Sequence, residues 1–266
     1  LVCATAIMAG ADRDPDIPLV ALGGEGVFVK ELEAALLQDE IDAAVHSLKD
    51  MPTSLPDGLV IAAVLERADP RDGFISRSGQ AFEALPAGAR VGTSSPRRRS
   101  QLLAWRPELD YLDIRGNVDS RLRKLDEGRY DAIVLAVCGL SRLGFLDRLT
   151  RAFPLERILP EPGQGAVAIE ARAADQATLQ RLQPLEHAST RACVEAERAV
   201  LQALGGGCRV PVAAYAQEHQ GRLSLRAAVF NAQGTQHVDG TLDGLATDGV
   251  ELGRRREVAH EPVDER

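Results

Sequence analysis

Ala89-Arg90-Val91-Gly92-Thr93-Ser94-Ser95-Pro96-Arg97-Arg98-Arg99 joins a short apolar strand to the start of a helix. Ala89 to Gly92 carries the strand. Ser95 sits where a helix N-cap belongs, and Pro96 takes the first helical position, where its missing N–H costs nothing. The same grammar recurs outward from this stretch: Ile41 to Val45 before His46, Ser47, Lys49 and Asp50, Tyr111 to Ile114 before Arg115-Gly116-Asn117, and Ala132 to Ala136 before Gly139. Each is expected to lead into a helical pattern. Upstream, Phe28, Leu32, Ala35 and Leu36 mark one face of a helix over Val27 to Leu37. Strands alternating with helices imply an α/β fold with largely parallel sheets, which bind ligands beyond the carboxyl ends of their strands. After Pro184 the pattern changes to one helix from about Ser189 to Leu204 and three alternating segments, Val210 to Ala216, Leu223 to Val229 and Gln236 to Leu242, the signature of a smaller α+β domain.

A chain of 266 residues, 45% hydrophobic, exceeds the length at which one core usually divides, so two or three domains are expected. A net charge of -8 argues against a nucleic-acid surface or a polybasic membrane anchor, and any anion must be gripped locally. Cys3, Cys138, Cys193 and Cys208 show no short CxxC spacing, which points away from a metal site and towards a reducing, cytoplasmic setting. No run is apolar for the roughly 18 residues a membrane helix needs, and no secretory leader pattern opens the chain. Leu1 to Ala9 reads as the middle of a strand, so the chain is expected to be truncated at its start, and the helix after Gly253 is expected to be cut short. Arg254-Arg255-Arg256 reads as a solvated helix end.

Free backbone donors, hydroxyls and three arginines converge at the 93–99 turn. That combination suits a carboxylate or phosphate, although a capped helix with a solvated basic face would look the same. Arg115, Arg121 and Arg142 at other strand ends suggest an oligo-anion held at several points, or else a scatter of surface ion pairs. Lys49 puts a cation beside the Asp50 carboxylate after a buried strand, which an ordinary loop pair also does, so spacing alone does not make Asp50 catalytic, and His46 reads as a core histidine. Gly205-Gly206-Gly207-Cys208-Arg209-Val210-Pro211 either presents a thiol to a ligand, with Arg209 favouring the thiolate, or is a helix C-cap followed by a half-buried cysteine. Cys3, Cys138 and Cys193 lie in apolar contexts and read as packing.

In their order along the chain, Gly26-Val27-Phe28-Val29-Lys30-Glu31-Leu32-Glu33, Val45-His46-Ser47-Leu48-Lys49-Asp50-Met51-Pro52, Asp69-Pro70-Arg71-Asp72, Gly92 to Arg98, Arg115-Gly116-Asn117-Val118, Pro162-Gly163-Gln164-Gly165-Ala166 and Gly206-Gly207-Cys208-Arg209-Val210-Pro211 resemble the porphobilinogen deaminase (hydroxymethylbilane synthase) family. The resemblance implies two periplasmic-binding-protein-like α/β domains flanking a cleft, residues 1–66 with 166–184 and residues 71–160, plus a small α+β domain over 188–266. It implies a dipyrromethane cofactor tethered by a thioether to Cys208, with Lys49, Ser47, Thr93, Ser95, Arg97, Arg98 and Asp12 around it. It makes Asp50 the catalytic carboxylate, stabilising the cation that develops as porphobilinogen loses ammonia. Arg115, Arg121, Arg142, Phe28 and Gln164 become substrate contacts, the arginines serving the acetate and propionate groups. The implied product is hydroxymethylbilane, made from four porphobilinogen units by a monomeric, cytoplasmic enzyme without a metal.

Several features depart from the family pattern. Its first strand and helix have no counterpart before Leu1, the surroundings of Asp12 differ, and Glu25 stands where a lysine is common. These leave two alternatives, a catalytically impaired remnant and a non-catalytic anion-binding protein. The second would carry a secretory leader and no covalent adduct.

Overall fold

The computed structural model describes residues 27–205 and 211–254. In chain order the elements are α1 (Val27–Leu37), β1 (Ala43–Ser47), β2 (Leu59–Val64), β3 (Asp72–Ser76), β4 (Arg90–Gly92), α2 (Pro96–Trp105), β5 (Asp110–Leu112), α3 (Val118–Asp126), β6 (Ala132–Ala136), α4 (Val137–Arg142), β7 (Arg151–Ala152), β8 (Val167–Arg172), α5 (Gln176–Leu182), α6 (Ala188–Ala203), β9 (Val212–His219), β10 (Arg222–Phe230), β11 (His237–Leu245) and α7 (Gly249–Arg254). They form three sheets, ordered β1-β8-β2, β5-β4-β6-β3-β7 and β11-β10-β9. The chain leaves the first sheet after β2, builds the second, and returns through residues 153–166 to place β8 at the centre of the first. The outgoing segment, 65–71, and the return segment therefore run between the two α/β domains.

The expectation of largely parallel sheets is corrected here. Among the described residues, only β4 with β5 and β4 with β6 pair in parallel. β3 pairs antiparallel with β6 and β7, and both described pairings in the first sheet, β1 with β8 and β2 with β8, are antiparallel. The physical cause is the double crossing. Strands reached by a crossover helix keep their direction, as β7 keeps that of β6 after α4, whereas β3 and β8 each follow a passage of the chain between domains and run opposite to their neighbours. The helical pattern expected after Asp50 is also shorter than the sequence suggests, a single 3-10 turn over Leu48–Asp50.

Each domain has its own core. Phe74, Phe82 and Phe153 are almost fully buried with Trp105 against them in the second, their rings mostly meeting edge to face. In the third, α6 lays Cys193, Ala196 and Val200, spaced as one helical face, on Ala214, Ala216, Leu223 and Leu225 of the sheet. The neighbouring residue Val194 points instead into the first domain's core, beside Val29, Leu48, Met51 and Ala168. One helix thus belongs to two cores, and that fixes the third domain against the first.

Candidate functional site

Ser95 caps α2 as its position requires: its hydroxyl oxygen accepts from the Arg98 backbone N–H, with Pro96 opening the helix. The Thr93 hydroxyl accepts from the Ser95 N–H at 3.3 Å. Both roles use an acceptor lone pair and not the hydroxyl hydrogen. Arg99 is exposed, but Arg97 and Arg98 are buried, so the solvated basic face does not describe this turn. Both meet Asp72, the wholly buried first residue of β3. Arg97 donates from Nη1 to Asp72 Oδ2 at 2.7 Å and to the Leu159 carbonyl at 2.6 Å. Arg98 donates from Nε to Asp72 Oδ1 at 2.9 Å and from Nη1 to the Val134 carbonyl at 3.3 Å. Burial alone would raise the Asp72 carboxyl, yet the two guanidinium groups and the Gln164 amide hold it well below the usual carboxylate range. Two cations against one carboxylate leave one positive charge over. Arg97 Nε and Nη2 are buried without an acceptor, a cost that an incoming carboxylate would remove.

More cations lie near Arg98. Arg121 is held near 10, lowered first by burial and then by the charges of Arg98 and Arg115, so three guanidinium groups repel one another in one place. Arg121 Nε donates to the Gly116 carbonyl at 2.6 Å and Lys124 Nζ to the Arg115 carbonyl at 2.9 Å, which fixes the 115–117 turn from α3. Ser94 ties this turn to the first, its hydroxyl bonded to both the carbonyl and the N–H of Ile114 at 2.8 and 2.9 Å. Like charges brought together at two linked turns are costly unless an anion lies among them.

The return segment joins these groups to Asp50. Gly163, Gln164 and Gly165 touch, in succession, the Leu48–Asp50 turn, Arg98 and Arg142. Gly163 has φ +78°, and a Cβ there would lie 3.3 Å from the Lys49 nitrogen and the Leu48 side chain. Gly165 has φ +91°, and a Cβ would fall 2.5 Å from the Ala68 carbonyl oxygen on the outgoing segment. Only glycine allows both conformations and both approaches. Gln164, wholly buried between them, donates to the Pro70 carbonyl at 2.7 Å and to Asp72 Oδ1 at 3.0 Å, while its Oε1 accepts from Arg98 at 3.3 Å. Arg142 Nη2 donates to the Gly165 carbonyl at 2.7 Å. The Leu48 N–H donates to the Ala166 carbonyl at 3.1 Å, placing the Asp50 turn directly on this segment.

Helix α6 completes the support. Glu197 is wholly buried and accepts from Arg67 on the outgoing segment at 2.6 and 3.1 Å, from the Gly163 N–H at 2.7 Å and from the Ala216 N–H of β9 at 2.8 Å. Its neighbour Arg198 donates to the carbonyls of Leu48, Met51 and Pro52, holding the turn that carries Asp50. Asp50 itself is exposed, and Lys49 and Ser47 are half-buried. His46 is buried and bonded to buried Glu170 at 3.0 Å, a core histidine as expected. Cys138 and Cys193 are buried free thiols, and burial with Glu197 beside it pushes Cys193 up to about 11, which makes it a poor nucleophile.

Not every expected residue is reached. Cys208, Asp12 and the side chain of Phe28 lie outside the described residues. Gln164, expected as a substrate contact, stands behind Arg98 with its amide engaged on protein partners. Asp72, Ser94, Arg67, Glu197 and Arg198 had no assigned role in the sequence. Asp72 lay within a quoted motif, and an acid opening an apolar strand was its signal. Glu197 and Arg198 carried no signal in the sequence, because nothing local reveals that α6 is covered on two sides.

Clustered guanidinium groups beside an exposed carboxylate turn, on α/β domains with a smaller α+β domain against them, are the features of a protein suited to a small anionic ligand. Residues 2–180 match the family described as porphobilinogen deaminase, dipyromethane cofactor binding domain, and residues 191–259 match the porphobilinogen deaminase C-terminal domain. A porphobilinogen deaminase of Desulforudis audaxviator is 52% identical over 93% of this chain and 80% of its own length. Those of Acidithiobacillus ferrooxidans and Geobacter sulfurreducens are 52% and 47% identical, over 90% and 91% of this chain and 77% and 76% of theirs. A methionine-binding lipoprotein of Bacillus subtilis overlaps 59% of this chain and 75% of its own at 15% identity, with a TM-score of 0.39. The chain belongs to the porphobilinogen deaminase family: it is a deaminating transferase of tetrapyrrole synthesis that uses a dipyrromethane cofactor.

Proposed function

We propose that the chain condenses four porphobilinogen units head to tail into hydroxymethylbilane at the site built on the 48–50, 93–99 and 115–117 turns, with the dipyrromethane carried on Cys208. The observation that carries this reading is the buried, half-satisfied guanidinium of Arg97, which shares Asp72 with Arg98, beside whose charge Arg121 also lies, a donor set fitted to ligand carboxylates. Arg97 and Arg98, with Thr93, Ser95, Ser47, Lys49 and Asp12, hold the cofactor, which when bound supplies the nucleophilic pyrrole carbon from which the product grows. Arg115, Arg121 and Arg142 bind the acetate and propionate groups of arriving substrate, with Phe28 beside them. Gln164 supports Arg98 from behind. Asp50 keeps a negative charge near the pyrrole N–H, where positive charge develops as the aminomethyl group leaves as ammonia, and so lowers that barrier.

The domain limits expected from the sequence, 1–66 with 166–184, 71–160 and 188–266, are retained in this reading. A monomeric state and a cytoplasmic location are retained with them, both supported by the resemblance, and the unpaired buried thiols of Cys138 and Cys193 fit a reducing setting. No helix among the described residues is long and apolar enough to cross a membrane.

The deciding experiment compares intact masses of the wild-type protein and Cys208→Ser, with Ehrlich's aldehyde as a colour test. A dipyrrole-sized excess on the wild type that is missing from Cys208→Ser is expected. Equal bare-polypeptide masses would overturn the cofactor assignment.

A further inference from the structure

We propose that Asp72 is the positioning residue of the cofactor receptor: together with Gln164 it presets Arg97 and Arg98 before the ligand carboxylate arrives. The inference deepens the reading above and rests on it. Asp72 touches neither substrate nor cofactor in this account and acts through the two guanidinium groups.

The geometry assigns this role. Asp72 has no exposed surface, and its two oxygens divide the work, Oδ2 taking Arg97 at 2.7 Å and Oδ1 taking Arg98 and the Gln164 amide at 2.8 to 3.0 Å. Arg98 is thereby anchored at every nitrogen and keeps one Nη1 N–H over: Nε bonds to Asp72, Nη1 to Val134 and Nη2 to Asp72 and Gln164. Arg97 is pinned through Nη1 alone, between Asp72 and the Leu159 carbonyl, while Nε and Nη2 remain buried without an acceptor. A guanidinium is planar, so fixing one nitrogen at two points restricts the plane in which the other donors can bond. Without Asp72 the two neighbouring cations would repel and turn away from each other, and an arriving carboxylate would have to reorganise them first. A preset receptor avoids that reorganisation and binds at lower ligand concentration. The anchors also have a common origin. Asp72 begins the strand entered from the outgoing segment, and Gln164 and Leu159 lie on the return segment, so the receptor is mounted on the junction of the α/β domains.

The test loads cofactor-free protein with porphobilinogen and follows the dipyrrole mass increment at a series of porphobilinogen concentrations, for the wild type, Asp72→Asn and Gln164→Leu. A positioning role shifts the concentration for half-loading upward, about tenfold or more for Asp72→Asn and less for Gln164→Leu, and leaves the final extent of loading near that of the wild type. A structural role lowers the final extent and leaves the concentration dependence in place, and either that pattern or unshifted curves would overturn the inference. Asp72→Asn leaves two buried cations without a counter-charge. If it does not fold, Gln164→Leu, which changes no charge, decides by the same criterion. If the wild type gains no dipyrrole at any concentration, the cofactor reading itself fails, an outcome distinct from failure of the Asp72 inference.

Discussion

The two turns at the heart of the candidate site are supported in opposite ways. The 93–99 turn is held from within: a wholly buried carboxylate grips two buried guanidinium groups, and the turn's own hydroxyls close it. The 48–50 turn is held from outside, by an arginine of the third domain on its carbonyls and by glycines of the return segment against its backbone, and its carboxylate stays exposed. A receptor for a tethered group gains from a rigid preset charge pattern. In the proposed function the Asp50 carboxylate serves successive substrate units, and such a group gains from standing on a turn that takes its position from neighbours.

The largest expected effect tests the internally held turn. Asp72→Ala leaves two buried guanidinium groups uncompensated and is expected to cost about 3–5 kcal/mol of stability, measured by urea unfolding. A loss below about 1 kcal/mol would mean that the pair is solvated and the contrast drawn above is wrong. Asp50→Ala should do the reverse, lowering kcat about 100- to 1,000-fold while the unfolding midpoint stays close to wild type, because the side chain is exposed. Arg198→Met sharpens the comparison by removing outside support from the Asp50 turn alone. It is expected to lower kcat about tenfold and leave the dipyrrole increment unchanged, since a misplaced catalytic group costs rate and not cofactor. Unaltered kcat with lost cofactor would reverse the assignment of α6 to the catalytic turn. Gly163→Ala, forced into positive φ against Lys49, should destabilise by about 1–2 kcal/mol.

The pH dependence gives the smallest and most specific check. The Asp72 carboxyl is depressed in the folded protein relative to its ordinary value of 3.8, so the unfolded chain binds more protons in acid. Its contribution is therefore complete above about pH 4 and falls away as pH drops through and below that value. The unfolding free energy of wild type should decline below pH 4 more steeply than that of Asp72→Asn.

Much of this was legible along the chain. Val27–Leu37 and Ala132–Ala136 lie where apolar spacing places them, and Ser95 and Pro96 open α2 because capping is a local property of four or five residues. The three alternating strands after α6 were legible for the same reason. Strand direction was not, because it depends on which way the chain crosses between domains, and no window of sequence contains both ends of a crossing. Gln164 shows the limit at the site: the resemblance made it a substrate contact, and only its burial against Pro70, Asp72 and Arg98 shows its amide turned to the protein.

By itself the sequence determined the three-part division, the helix starts and the family, since each is written in local spacing or in contiguous motifs. Only the tertiary structure decided which charges are spent on one another and which remain for a ligand. Asp72, Arg97 and Arg98 are separated by 25 and 26 residues, and Arg67 and Glu197 by 130. Whether such groups pair depends on the desolvation and Coulomb energies of places that exist only once the chain has folded.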